Sequence, residues 1–528
     1  MGARARTHAR TGATGDSGAR LPDSALVLTV DIGSSSVRTN LFTERAVRLE
    51  EAGTRIPCEP RTTPDGGVEL DPYLLLERVF AAIDRTLHKA GRLAEQISGV
   101  GMCSLVSNVL GVDRNYRPTT PIYTWADTRG AAEAEELRAT LDEEAVHDRT
   151  GCYFHPSYLP ARLLWLRRTQ PRAYARTVRW ISLGELVTLR LFGQIGQSLS
   201  VASWGGLLNR HTLDWDDRLL FALDVSREQL PPLVDINDPF RGLRSEYATR
   251  WPALRDVRWF PCVGDGATSN VGSWCYSPDC VAVQVGTSSA MRVLVPGTPP
   301  SKAVPRGLWC YRLDRQTSLV GGALSEGGNV LDWLGALLAM PGDRTLAEEA
   351  AGLAADSHGL TILPFVAGER SPGWDSKARA AITGLSLDTR PAQVFRAAHE
   401  AITYRLGIVY DLLASCGWLP QARLVVGSGG ALLNVPGWLQ MLADVLGRPV
   451  TASGEPEASS RGAAMIALQA CGIIAGFSAI PPLLGSTYRP NMRRHAVYRR
   501  AMQRQTALYQ RLAIRRLQEA EGGGHEGA

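Results

Sequence analysis

Two stretches of the chain, 253 residues apart, follow one pattern. "VLTVDIGSSSVRTNLF" (Val27–Phe42) and "VAVQVGTSSAMRVLV" (Val281–Val295) both run apolar segment, glycine with three small hydroxyl residues, apolar segment. Val30, Gly33, Ser34, Ser35 and Ser36 align with Val283, Gly286, Thr287, Ser288 and Ser289. Apolar runs flanking turn residues read as strands joined by a tight hairpin. A single repeat at this spacing predicts two similar domains rather than a solenoid. A chain of 528 residues is also too long for one compact core.

The hairpin is not a Walker loop. That device is strand, loop, helix with Gly-Lys-Ser/Thr, whereas "DIGSSSVR" has no lysine and continues as a strand. A Gly-hydroxyl turn still exposes backbone N–H and O–H donors that can wrap phosphate oxygens. Two such turns facing each other would clamp a polyphosphate; two unrelated hairpins with small turns are the plainer alternative. Asp31, answered in the second copy by Gln284, reads as a metal-capable carboxylate or as a strand-end residue closing its turn.

Between and beyond the hairpins, strands alternate with helices, which predicts an α/β class. Residues 71–91 read as an amphipathic helix with Asp71 as N-cap and Gly91 as stop. Residues 97–113 read as strand, 130–151 as an exposed helical region, and 390–417 as a long helix. Residues 423–450 read as strand, glycine loop, helix and strand. The uncharged stretch 462–485 is long enough to cross a bilayer, but Gln469, its glycines and Pro481–Pro482 favour a buried Ala-rich helix ending near 472–476.

Composition excludes several classes. Net charge is +5 without a dense Lys/Arg stripe, so nucleic acid is not indicated. The nine cysteines are scattered without CxxC, which predicts reduced thiols and a cytoplasmic protein rather than a disulfide scaffold or zinc knuckle. No HExxH is present. Residues 1–25 are rich in Arg, Gly, Ala and Thr, which predicts a disordered tail; a transit peptide is the alternative, and Arg6 stands where a myristoylation signal needs Ser or Thr.

Asp265, in "RWFPCVGDGATSNVGS", follows an apolar run and lies between Gly264 and Gly266. It reads either as a general base that a substrate can approach closely or as a plain helix cap. "GSGGALLN" (427–434) lacks the third glycine of a dinucleotide fingerprint, because Leu432 stands there; a glycine platform beside an adenine ring suits it equally. "EGGN" (326–329) offers a similar platform.

These pieces, with "GGVELDP", "YTWADTRG", "GGNVLDWL", "AGERSPGWDSKARAAITGLSL" and "EASSRGAAMIAL", occur in an order that resembles the FGGY carbohydrate kinases of the actin-like ATPase superfamily. The likeness spans about residues 26–500 and is strongest to the gluconokinase branch, with xylulokinases next. It implies two ribonuclease H-like α/β domains, 26–264 and 265–500, facing a central ATP and sugar cleft, followed by a C-terminal helix and tail over 501–528.

The resemblance also implies roles. Asp31 would bind Mg²⁺, and Ser34, Ser35 and Ser36 the phosphates of ATP. Asp265 would take the proton of the acceptor hydroxyl, and Gly286 and Thr287 would form the second phosphate loop. Gly328 and Asp332 would border the nucleotide, with Gly430 and Asn434 at its adenosine end. Trp125, Asp127 and Arg129 would lie on the sugar side. Relatives commonly carry Met-His where this chain has Val106 and Ser107, so the acceptor contacts differ there. The expected activity is ATP-dependent phosphorylation of a small sugar, sugar acid or polyol, without membrane or nucleic-acid partners and with a homodimer left open. A sugar-sensing protein with little catalysis, or a chaperone-like ATPase, would be the readings of another class; Asp31 with Asp265, and the "TWADTRG" block, count against them.

Overall fold

The computed structural model describes residues 25–299, 304–337, 344–417, 419 and 424–522. The expected tail lies, apart from Ala25, outside them.

Each repeat copy is the centre of one mixed sheet. In the first, β1 (Leu26–Ile32) pairs antiparallel with β2 (Ser36–Phe42), and β2 with β3 (Thr54–Pro57). On its other edge β1 pairs parallel with β4 (Ile97–Ser104), which carries β5 (Arg258–Trp259) and β6 (Val263–Gly264). In the second, β7 (Cys280–Val285) pairs antiparallel with β8 (Ser289–Pro296). β9 (Trp309–Arg312) and β10 (Thr317–Leu324) extend that side. On the other side β7 pairs parallel with β11 (Leu424–Ser428), then β12 (Val450–Ser453) and β13 (Leu484–Tyr488). Both sheets therefore present a hairpin whose first strand runs beside a parallel neighbour, and the repeat in sequence is a repeat in topology. β1 is buried throughout and β7 nearly so, as expected of central strands covered on both faces.

The helices follow their capping chemistry. α1 (Pro72–Ala90) starts where the Asp71 carboxylate accepts from the N–H groups of Tyr73 and Leu74, and it stops at Gly91. α2 (Leu159–Thr169) precedes β5 in the chain, and α3 (Asp265–Gly272) directly follows β6. α4 (Gly328–Leu337), α5 (Pro391–Ser415), α6 (Gly430–Asn434), α7 (Ala458–Ala470) and α8 (Met492–Gly522) belong to the second half of the chain. α7 is the expected Ala-rich buried helix, and no helix among the described residues is long and apolar enough to cross a membrane. It crosses α3 at Gly272 and Gly462, where any side chain would strike the Ala458 or Thr268 carbonyl. This contact fixes the segment bearing Asp265 against an element almost 200 residues later.

Two expectations are corrected. The C-terminal helix begins at Met492 rather than near 501, and Tyr498, Ala501 and Met502 are part of the second domain's core. The cysteines are not all free thiols: Cys275 and Cys280 form a disulfide. A turn through Trp274, fixed by paired hydrogen bonds between Asn270 and Cys275, folds the end of α3 back toward the start of β7 and brings the two together. The other seven are free.

Candidate active site

The sites built by the two hairpins meet between the sheets. A cavity of about 270 Å³ is walled by Val106, Ser107, Trp125, Ser157, Tyr158 and Trp204 from the first half and by Gln284, Arg292, Tyr311, Arg370 and Trp374 from the second. Asp265 and Ser34 reach it, as do Gly286 and Thr287. A second cavity of about 1210 Å³ is lined by Gly328, Asp332, Gly430 and Asn434 with Leu331, Phe395 and Pro436. Gly286 and Thr287 line this one as well. The second hairpin turn thus stands where the two spaces join, and all four residues expected at the nucleotide border share one cavity.

Local structure explains these positions. The Gly286 N–H donates to the Ser288 carbonyl, closing the turn. The Gly286 and Thr287 carbonyls accept from the N–H groups of Gly328 and Asn329, pinning the turn to the start of α4. Gly429, at φ +95°, passes so close to Val285 that a Cβ would lie 2.3 Å from its carbonyl oxygen. Only glycine meets both demands, which places the start of α6 against β7.

Asp265 occupies the first turn of α3 but does not serve as its N-cap, which is Gly264. Its Oδ1 accepts from the Gly266 N–H at 2.7 Å. Burial pushes its pKa up to about 6; Arg292 pulls it down and Asp31 pushes it further up. A carboxylate poised near 6 is ionised at neutral pH yet basic enough to receive a proton.

Asp31 is fully enclosed. Its Oδ2 accepts from the Ser460 hydroxyl at 3.1 Å and lies 3.4 Å from Arg38 Nη2, while its Oδ1 is buried without a partner. Burial raises its pKa against the pull of Arg38. Arg38 also donates to Glu457 at 2.8 Å. A buried carboxylate oxygen left open suits a hard divalent cation that keeps most of its waters, so the residues present fit Mg²⁺.

Several expected residues stand elsewhere. Ser35 is exposed and lines neither cavity, and Ser36 is buried in β2 with its hydroxyl unpaired. Asp127 and Arg129 do not line the 270 Å³ cavity. Arg129 donates to both Asp127 oxygens and to Glu69 at 2.7 Å, with its guanidinium over Tyr123 and Trp165. This pair spends its hydrogen bonds holding the loop that presents Trp125. Val106 and Ser107 do line the cavity; Ser107 sits at φ +53° and its hydroxyl donates to the Trp204 carbonyl.

Other wall residues, some within the quoted stretches, were not singled out by the sequence. Arg292 donates to Gln284 at 3.1 Å and Arg370 to the Leu324 carbonyl at 2.6 Å. Each retains a buried Nε–H without a partner, and neither makes an ion pair among the described residues. Burial lowers both pKa values, that of Arg292 to about 10. Tyr158 and Tyr311 join hydroxyls at 2.5 Å across the domains, and Tyr311 stacks on Trp204. His155 lies behind the wall, held neutral by burial and surrounding arginines at a pKa of about 3. Its Nδ1 accepts from the Ser157 N–H at 3.2 Å and lies 3.0 Å from the Ser157 hydroxyl. Arg38 and Arg292 stand just past the hydroxyl turns in both quoted repeats, a signal the sequence did contain.

Residues 26–272 match the N-terminal domain of the FGGY family of carbohydrate kinases and residues 281–471 its C-terminal domain. Gluconokinase of Bacillus subtilis (strain 168) is 29% identical over 482 residues, covering 88% of this chain and 91% of that protein. Xylulose kinase of Escherichia coli (strain K12) is 26% identical over 490 residues, covering 92% and 98%. Gluconate kinase from Lactobacillus acidophilus superposes with a TM-score of 0.84 at 24% identity, covering 93% of this chain and 98% of that one.

Proposed function

The chain belongs to the FGGY family of carbohydrate kinases, phosphotransferases acting on sugars and polyols, and within it we propose that this protein transfers the γ-phosphoryl group of ATP to a hydroxyl of a sugar acid resembling gluconate. One observation carries the choice of a sugar acid. Arg292 and Arg370 stand in the wall beside Asp265, each with a free buried Nε–H and neither in a close ion pair among the described residues, with Asp265 acting on Arg292 and Glu326 on Arg370 only at longer range. Guanidinium groups held this way favour an anionic ligand such as a carboxylate.

In this reading the 1210 Å³ cavity takes the nucleoside and the 270 Å³ cavity the acceptor. Gly286 and Thr287, shared by both, support the phosphates at the junction, and Ser34 approaches from the first hairpin. Asp31 holds Mg²⁺ directly or through water; the ion, when bound, neutralises charge on the phosphate oxygens. Asp265 accepts the proton of the attacking hydroxyl. The aromatic wall of Tyr158, Trp204, Tyr311 and Trp374 excludes water, which would otherwise compete as acceptor.

The test is coupled ATP consumption measured across sugar acids, ketoses and polyols. A sugar acid should give the highest kcat/KM. A neutral ketose or polyol exceeding every acid by tenfold would remove the reading, and the xylulokinase relatives name the alternative.

A further inference from the structure

Arg162 lies on α2, outside the cavity wall, and is 2% exposed. A buried guanidinium is expensive and is normally matched by a carboxylate. Arg162 makes no ion pair among the described residues. Its donors go instead to three backbone carbonyls: Nη1 to Ser107 at 2.9 Å, and Nη2 to Pro156 at 3.0 Å and Asp127 at 3.4 Å. Burial lowers its pKa to about 10, with Asp127 opposing the shift.

The three carbonyls belong to three separate loops, and each loop supplies part of one cavity. The first carries Val106 and Ser107, the second Trp125, and the third Ser157 and Tyr158. The first two loops are joined nearby by the Val109–Tyr123 bridge, but none of the three bonded residues, Ser107, Asp127 and Pro156, is itself in a sheet pair. Ser107 is also kept at φ +53°, a conformation its own side chain disfavours, and the Ser107 carbonyl is one end of the shortest Arg162 contact. The planar fork of an arginine fixes directions at these three carbonyls and ties the Pro156 loop to the bridged pair.

We propose that Arg162 is a positioning residue for the acceptor site, setting the three loops of its first-domain wall in one mutual register without touching the acceptor. This rests on the reading that the 270 Å³ cavity is where the acceptor binds. The nucleotide cavity has no residue bonded to Arg162, so the two substrates should respond differently.

The test is steady-state kinetics of Arg162→Met and Arg162→Lys in the full chain, using whichever acceptor the wild type turns over best. In Arg162→Met the acceptor KM should rise at least ~30-fold while the ATP KM stays within about twofold. Arg162→Lys, whose ammonium keeps the charge and can reach part of the carbonyl set but lacks the planar fork, should fall between methionine and wild type. A rise of both KM values together, or a lysine variant no better than methionine, overturns the assignment. Hydrogen exchange of the unmodified protein gives a second arm that needs no variant to fold. Saturating acceptor should protect residues 105–108, 124–129 and 155–158 together; protection of only one segment overturns it. A wild type that prefers a neutral sugar defeats the sugar-acid reading alone and leaves these outcomes readable.

Discussion

The two hairpins share sequence and topology but differ by one residue of register. In the first, four residues separate the paired Ile32 and Val37, and Asp31 faces Arg38 directly. In the second, three residues separate Val285 and Ser289, so Gln284 faces Ala290 and meets Arg292 on the diagonal. Directly opposed and diagonal partners both lie on one face of a sheet, but at different reach. The consequence is electrostatic. Both arginines keep a buried Nε–H without a partner, but Arg38 pairs closely with Asp31 and Glu457, whereas Arg292 has no close ion pair among the described residues and feels Asp265 only at longer range in the cavity wall. One frame, duplicated, thus gives a first hairpin suited to a cation with its phosphates and a second whose arginine is available to an acid.

The largest expected effect breaks the chemistry common to both. Asp265→Asn removes the proton acceptor and should lower kcat by about 10³-fold, within the usual range for a general base. ADP affinity by calorimetry should stay within about twofold, because the 1210 Å³ cavity proposed for the nucleotide does not include Asp265. A kcat within tenfold of wild type would dismiss Asp265 as base.

Next come the two hairpin partners, tested against each other. Asp31→Asn should cut kcat by about 10²-fold and raise the Mg²⁺ concentration needed for half-maximal rate. Gln284→Glu should do neither, but should pair with Arg292 and raise the KM of a sugar acid by about tenfold. If Gln284→Glu instead moved the Mg²⁺ requirement, the division of labour between the hairpins would be wrong.

The pH dependence follows from burial of Asp265, which places its pKa at about 6. The base works only when ionised, so kcat/KM should be level above pH 7 and fall with unit slope as pH drops through about 6. Asp265→Asn should abolish this limb. A profile flat to pH 5 would mean that another group takes the proton.

Much of this frame was legible in the sequence because it is local. Strand, turn and strand are written in consecutive residues, and the repeat gave two domains; Asp31 and Asp265 stood out beside glycines at strand ends. What could not be read was what those carboxylates face. Ser460 and Glu457 reach Asp31 and Arg38 from more than 400 residues away through α7, and no periodicity records that approach. The surroundings of Asp127 and Arg129 were illegible for a related reason. A charged pair in a motif block looks like ligand chemistry, but three-dimensional packing turns it inward onto Glu69, Tyr123 and Trp165. The acceptor wall is assembled from single residues of many loops, each unremarkable alone.

The smallest effects separate the hydroxyl residues within the turns, which look interchangeable in sequence. Ser34 lines the 270 Å³ cavity and Thr287 lines both cavities, whereas Ser35 is exposed and lines neither. Thr287→Val should therefore raise the ATP KM or lower kcat by about tenfold, the cost of one hydrogen bond to a charged group. Ser35→Ala should change neither by more than about twofold, because it leaves the turn's backbone bond from Gly33 to Ser36 intact. The reverse ranking would show that the first hairpin grips phosphate through its tip rather than through Ser34 and Asp31. The two hairpins would then be equivalent jaws, and the one-residue difference in their register would have no functional meaning.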